Sequence, residues 1–103
     1  MAGLQGFRNT DYETVAVSQT DQSLGPIGAA GDILELLVIT VATAATAAVS
    51  IKDGTGAAIS ILPNSPGGGV GVYVVTLGAR STSGGWKVTT GAGSTALAVG
   101  RFT

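Results

Sequence analysis

No histidine and no cysteine occur in this chain, and ionisable groups of any kind are few. Without cysteine there are no disulfides and no thiolate metal sites, and the redox compartment leaves no mark. Without histidine, a Ser-His-Asp or Cys-His relay cannot be built within one chain. Acid–base work at neutral pH would fall to a carboxylate or lysine with a displaced pKa. Charged residues make up 11% of the 103 positions, against roughly 25% in ordinary soluble domains. Five basic residues stand against six acidic ones, for a net charge of −1. There is no basic run or stripe, so phosphate neutralisation has no source and nucleic acid is not an expected partner. Aromatics are 5%, which leaves the surface to Ser, Thr, Gly, Ala and Gln. A weakly charged surface of that kind does little to oppose association. It points toward a packed oligomer or a shell component.

Long hydrophobic runs are missing too. The opening MAGLQGFRNT has no apolar stretch behind a basic start, so no secretory signal is expected. The most apolar window, LLVITVATAATAAV from Leu36 to Val49, is shorter than the roughly 20 residues of a spanning helix. Its threonines suit strands. No membrane partner is expected.

What the chain does contain is period-two patterning punctuated by glycine. In AVSIKDGTGAAISIL, Ala48 to Leu62, Val49 and Ile51 alternate with Ser50 and Lys52, and Ile59 and Ile61 flank Ser60. Such alternation on either side of Asp53-Gly54 predicts a β-hairpin. Around it, Tyr12 to Thr20 reads as a strand with Val15 and Val17 on one face. Gln19 to Gly31 reads as a glycine-rich connection with Ile27 plugging the end of the core. Asp32 to Thr40 is apolar on both faces except at Glu35 and predicts a central strand covered on both sides. Ala42 to Ala48 fits either a short Ala-rich helical turn or a small-residue strand. Val70 to Leu77, a strand opened by Trp86, and Ser94 to Thr103 with Leu97 and Val99 inward complete the set. Seven to eight strands joined by Gly, Pro, Asn and Ser turns predict an all-β fold. The expected architecture is a single antiparallel β-sandwich, jelly-roll-like, over residues 12–103; a small open barrel is the alternative. Residues 1–11 read as an N-terminal arm, either disordered or ordered on a neighbour. In the second case Leu4, Phe7 and Arg8 are the candidate partner contacts.

Candidate chemistry is thin. Six acids are available, Asp11, Glu13, Asp21, Asp32, Glu35 and Asp53. A two-carboxylate mechanism needs a pair across a common cleft, and only Glu35, set among aliphatics, suggests a displaced pKa; an edge position or a pairing with Arg80 or Arg101 is the plainer reading. Asp53-Gly54-Thr55 offers one carboxylate, too few for calcium. Gly67-Gly68-Gly69-Val70-Gly71 lacks the Lys-Ser/Thr of a phosphate loop. Tyr12, Tyr73 and Trp86 are too scattered for a sugar-stacking platform, and Trp86 reads as the largest core side chain. No enzyme activity, metal or cofactor is expected.

Three stretches carry a family likeness: VSIKDG at Val49 to Gly54, LGARSTSGGWKVTTGAG at Leu77 to Gly93, and AVGRF at Ala98 to Phe102. GAAGDILELLVI, Gly28 to Ile39, also fits. With these the chain resembles the small head decoration, or cement, proteins of tailed bacteriophages. The resemblance implies a β-sandwich on the capsid exterior, commonly a homotrimer, that clamps neighbouring subunits of the major capsid protein. It brings no catalytic residues. A receptor- or glycan-binding module of a tail fibre or adhesin is the alternative function. That alternative predicts Trp86 and Tyr73 exposed together beside a groove.

Overall fold

The computed structural model describes residues 11–43, 48–62 and 69–103. Eight strands follow in chain order: β1 (Asp11–Val15), β2 (Gln22–Ser23), β3 (Ile33–Val41), β4 (Val49–Asp53), β5 (Ile59–Leu62), β6 (Gly71–Arg80), β7 (Trp86–Thr89) and β8 (Ser94–Arg101). They form two four-stranded antiparallel sheets, ordered β1-β8-β3-β6 and β2-β7-β4-β5. That order is a jelly roll. First pairs with last, second with seventh, third with sixth, and fourth with fifth. The chain is thus one long ribbon doubled back on itself and rolled up, with the β4–β5 hairpin as its closed end. Asp53 to Gly56 makes that turn: Gly54 has φ 57, and Gly56 N–H donates to the Asp53 carbonyl at 2.8 Å.

Between the sheets lies a core of small aliphatics. Val15, Leu34, Leu37, Ile39, Val41, Ala96 and Ala98 come from the first sheet; Val49, Ile51, Leu62, Trp86 and Val88 come from the second; Leu24 enters from the β2 end. Trp86 is the core's largest side chain, as its place at the head of an alternating strand implies. Its indole N–H donates to the Asp32 carbonyl at 3.1 Å, so burial leaves no polar atom unpaired.

Several sequence expectations need correction. β1 stops at Val15, and Val17 is 45% exposed. The chain bends after Val15 because Ser18 takes a left-handed φ of 56 and Thr90 clamps the bend. The Thr90 hydroxyl donates to the Ala16 carbonyl at 2.6 Å and accepts from Gln19 N–H at 3.0 Å. Ile27 does not plug the core: it is 79% exposed and Leu24 fills that place. Its backbone is drawn outward, where Ile27 and Gly28 N–H both donate to the Thr103 carbonyl. Ile59 lies opposite buried Ile51 but at the start of the outer strand β5, and is 48% exposed; further along, the register slips between Val49 and Ser50 and leaves Ile61 as an extra residue on β5. β3 is central but covered on one side only; Leu36 and Val38 are half-buried on its outer face. Leu97 and Val99 point outward, and Ala96 and Ala98 point in. The inner row of β8 is the small set and continues to buried Gly100, where a Cβ would collide with the Ile33 carbonyl oxygen. No helix occurs among the described residues, and 44–47, most of the stretch open to a helical turn, lie outside them.

Candidate docking surface

Because β3 and β8 are the two inner strands of their sheet, register fixes which side chains stand in rows across its outer face. One row is Tyr12, Val99, Leu36 and Thr76. The next is Thr14, Leu97, Val38 and Val74. A third holds Thr95, Thr40 and Val72. Tyr12 is 73% exposed, and Val72 and Val74 are each 63% exposed. Four strands therefore present a face on which Val99, Leu36, Leu97 and Val38 hold the centre, Val72 and Val74 continue it to the β6 edge, and threonines are interspersed. Monomeric soluble proteins seldom leave large contiguous apolar areas in water, so such a face is a candidate contact surface. Its outer strand, β6, has ten residues, and from Gly71 to Thr76, before the bulge at Leu77-Gly78, it holds no proline or charge and pairs on one side only among the described residues. These are the features that natural edge strands normally avoid.

At one end of the face, Arg101, Ile33 and Arg80 form a further row. Beside it β3 is bulged between Leu34 and Leu36, which turns Glu35 out to solvent. Glu35 therefore takes the exposed place rather than a buried one. It is ion-paired with neither Arg80 nor Arg101; among the described residues the salt bridge is Lys52 to Asp21, at 3.1 Å.

The other acids serve as fasteners for loops. Asp53 accepts from Thr82 N–H at 2.8 Å, Ser83 N–H at 3.0 Å and the Thr82 hydroxyl at 2.9 Å. The Ser83 and Thr82 amides hold its carboxyl below the ordinary range. Asp21 is lowered first by the Lys52 ammonium, with help from the Thr89 hydroxyl. Glu13 accepts from Gly25 N–H and the Gln22 amide, both at 2.8 Å. Asp32 is buried and accepts from Thr103 N–H and hydroxyl at 3.1 and 2.9 Å. No group of three or more His, Cys, Asp or Glu able to hold a metal occurs among the described residues. The aromatic residues do not form a platform: Trp86 is buried, and half-buried Tyr73 packs on the core with its hydroxyl donating to the Gly69 carbonyl at 2.7 Å. The arm contacts expected at Leu4, Phe7 and Arg8 lie outside the described residues.

Fold and face together define a jelly-roll β-sandwich with an apolar outer sheet. Comparison with protein-family models, with curated proteins and with solved structures finds no match.

The outer face was missed in the sequence because alternation gives the period of a strand but not which set of residues faces in. A signal was present. Arg101 shares its parity with Leu97 and Val99, and Arg80 shares its parity with Val72 and Val74. An unpaired guanidinium turns outward, and it takes the aliphatics of its own row set with it.

Proposed function

We propose that this chain is a non-enzymatic structural protein of a bacteriophage virion, seated on the capsid exterior and binding between subunits of the major capsid protein. The observation that carries this reading is the aliphatic outer face of the β1-β8-β3-β6 sheet, with Val72 and Val74 each 63% exposed on an open edge strand. A fold of this class hosts many functions, so the face rather than the topology bears the weight. The low charge of the chain supports it: 11% charged residues leave little repulsion against close packing. So does the likeness of its sequence to head decoration proteins. Binding the assembled shell more tightly than its free subunits would stabilise the shell by mass action. Assembly of the chain as a homotrimer would multiply contacts around a symmetry axis.

The direct test mixes the purified protein with expanded capsids and with free capsid subunit. Saturable co-sedimentation with shells, absent for the free subunit, is expected; equal binding to both, or none to shells, refutes the reading. Light scattering should give a trimer mass. Glycan binding on stacked aromatics has no support from a buried Trp86.

A further inference from the structure

Five cations occur in the whole sequence, and their placement is uneven. Lys52 is taken up by Asp21, and Lys87 is the partner of Lys52 on the neighbouring strand of the same β2-β7-β4-β5 sheet, where it too acts on Asp21. Arg80 and Arg101 have no ion-pair partner among the described residues. Both are exposed, and both flank Ile33 on the outer face of the first sheet, one on each side. Two strand spacings separate their Cα atoms, about 10 Å. Each guanidinium is on a stem long enough to reach the space beside Ile33, and both arginines line one shallow concavity there with Ile33, Asp11, Thr103 and buried Asp32, whose carboxylate is taken up by the Thr103 N–H and hydroxyl.

We infer that Arg80 and Arg101 form a two-armed seat for a single carboxylate side chain of a protein partner, whose flanking apolar residues lie along the Leu36 and Val38 rows. Charge complementarity selects the partner. Arginine's planar fork matches a carboxylate, and two forks converging on one group fix orientation as well as charge. A nucleic acid is disfavoured. It needs many phosphate contacts, whereas Asp11 lines the same concavity and Glu35 stands exposed on the neighbouring β3 bulge. Asp32 lines the concavity too, so three acids surround two arginines; a single carboxylate in direct contact with both guanidinium groups is the most the site can take, and a row of phosphates is repelled. The apolar rows beyond the arginines then exclude water from the contact, which is the arrangement of a protein interface with a charged margin. That the partner is the capsid subunit rests on the proposed function; that it offers a lone acid among aliphatics rests on this face alone.

The full chain, labelled with nitrogen-15, is titrated with soluble strand-forming peptides of alternating Val and Thr that carry Glu, Gln or Lys at the centre. The Glu peptide is expected to bind at least ten-fold more tightly than the Gln peptide, shifting the amides of Ile33, Arg80 and Arg101, and raised salt should remove the difference. R80A/R101A should abolish the preference, and K87A should retain it, with circular dichroism confirming that both stay folded. Equal binding of Glu and Gln peptides, or a preference that survives R80A/R101A or disappears in K87A, overturns the inference. So does a loss of oligomer mass in R80A/R101A, which would make a second copy the occupant. Parallel sedimentation with capsids separates the two readings. Glu preference without shell binding sinks the proposed function and keeps the seat; shell binding that R80A/R101A leaves unchanged sinks the seat alone.

Discussion

Replacing Val72 and Val74 by threonine probes the outer face with the least disturbance to the fold. Both side chains are 63% exposed and point away from the core. Threonine keeps the β-branch and the volume, and exposed sites of this kind change stability by no more than about 0.5 kcal/mol. Full burial of a valine is worth roughly 1.5–3 kcal/mol. With almost two-thirds of each side chain still in water, docking should gain about 1 kcal/mol or slightly more per residue. The hydroxyl that replaces a methyl must also lose its water without a partner, at a further cost of about 1 kcal/mol if the contact is dry. Because threonine keeps one of the two methyls, about half of the apolar gain is retained and each exchange costs about 1–1.5 kcal/mol; V72T/V74T should therefore weaken shell binding by about 2–3 kcal/mol, or roughly 30- to 150-fold in Kd. Co-sedimentation with expanded capsids over a concentration series gives the Kd, and urea unfolding of the free protein checks that the fold is unaltered. A Kd within about three-fold of wild type, with unchanged unfolding, would show that the face does not make the contact. A lost transition in urea would instead show that these valines support the fold.

The core and the outer face should respond unequally to the same truncation: L37A should cost about 2–5 kcal/mol in urea unfolding, and L97A, half-buried on the outer side, about 1 kcal/mol or less. Gly54 lies at φ 57 with the Ser83 and Gly84 backbone 2.5 Å from where a Cβ would stand. G54A should lower the thermal midpoint clearly, and an unchanged midpoint would mean the turn is not pinned to the β6–β7 loop. Asp53 and Asp21 are both held below the ordinary carboxylate range, so their contribution to stability is complete above an unfolded pKa of about 3.9. It disappears as pH falls through the lower folded values. Acid titration of stability should accordingly be shallower in D53N and D21N than in the wild type, with the greatest difference below about pH 4.

Local chemistry made much of the fold legible. The Asp53-Gly54 turn and its flanking alternation name the hairpin, and the pattern of glycine turns separates the remaining strands. Leu34, Leu37 and Ile39 mark β3 as interior because Glu35 is the one polar residue before Thr40. What could not be read depends on pairing across long stretches of chain. The bulge that places Glu35 in solvent exists only because β6 and β8 each shift their register against β3 at that point. Val17 and Ile27 obey the alternation of their own segments but are turned outward by Thr90 and by the Thr103 carbonyl, residues far along the chain. For the site the difficulty was sharper. In STALAVGR one parity offers Ala96 and Ala98 and the other Leu97 and Val99, and hydrophobicity alone favours the larger pair for the core. In the fold the smaller pair shares its row with Gly100, where there is no room for a Cβ, and the larger pair shares its row with exposed Arg101.

That inversion bears on how the protein would bind as well as where. A strand that places its small residues inward thins the core, and it does so while leaving larger aliphatics in water, where they contribute least to folding. The arrangement makes physical sense if the outer face is covered in the working state. The loops support this, since Glu13, Asp21, Asp32 and Asp53 each tie a connection to a distant segment through hydrogen bonds of 3.1 Å or less. A face built on paired strands, with these described connections fastened, has little freedom left to lose there. The entropy of ordering side chains and loops, which offsets much of the gain from buried area in most associations, is small here. A modest apolar face can then hold a partner, and a single carboxylate between Arg80 and Arg101 can fix its register.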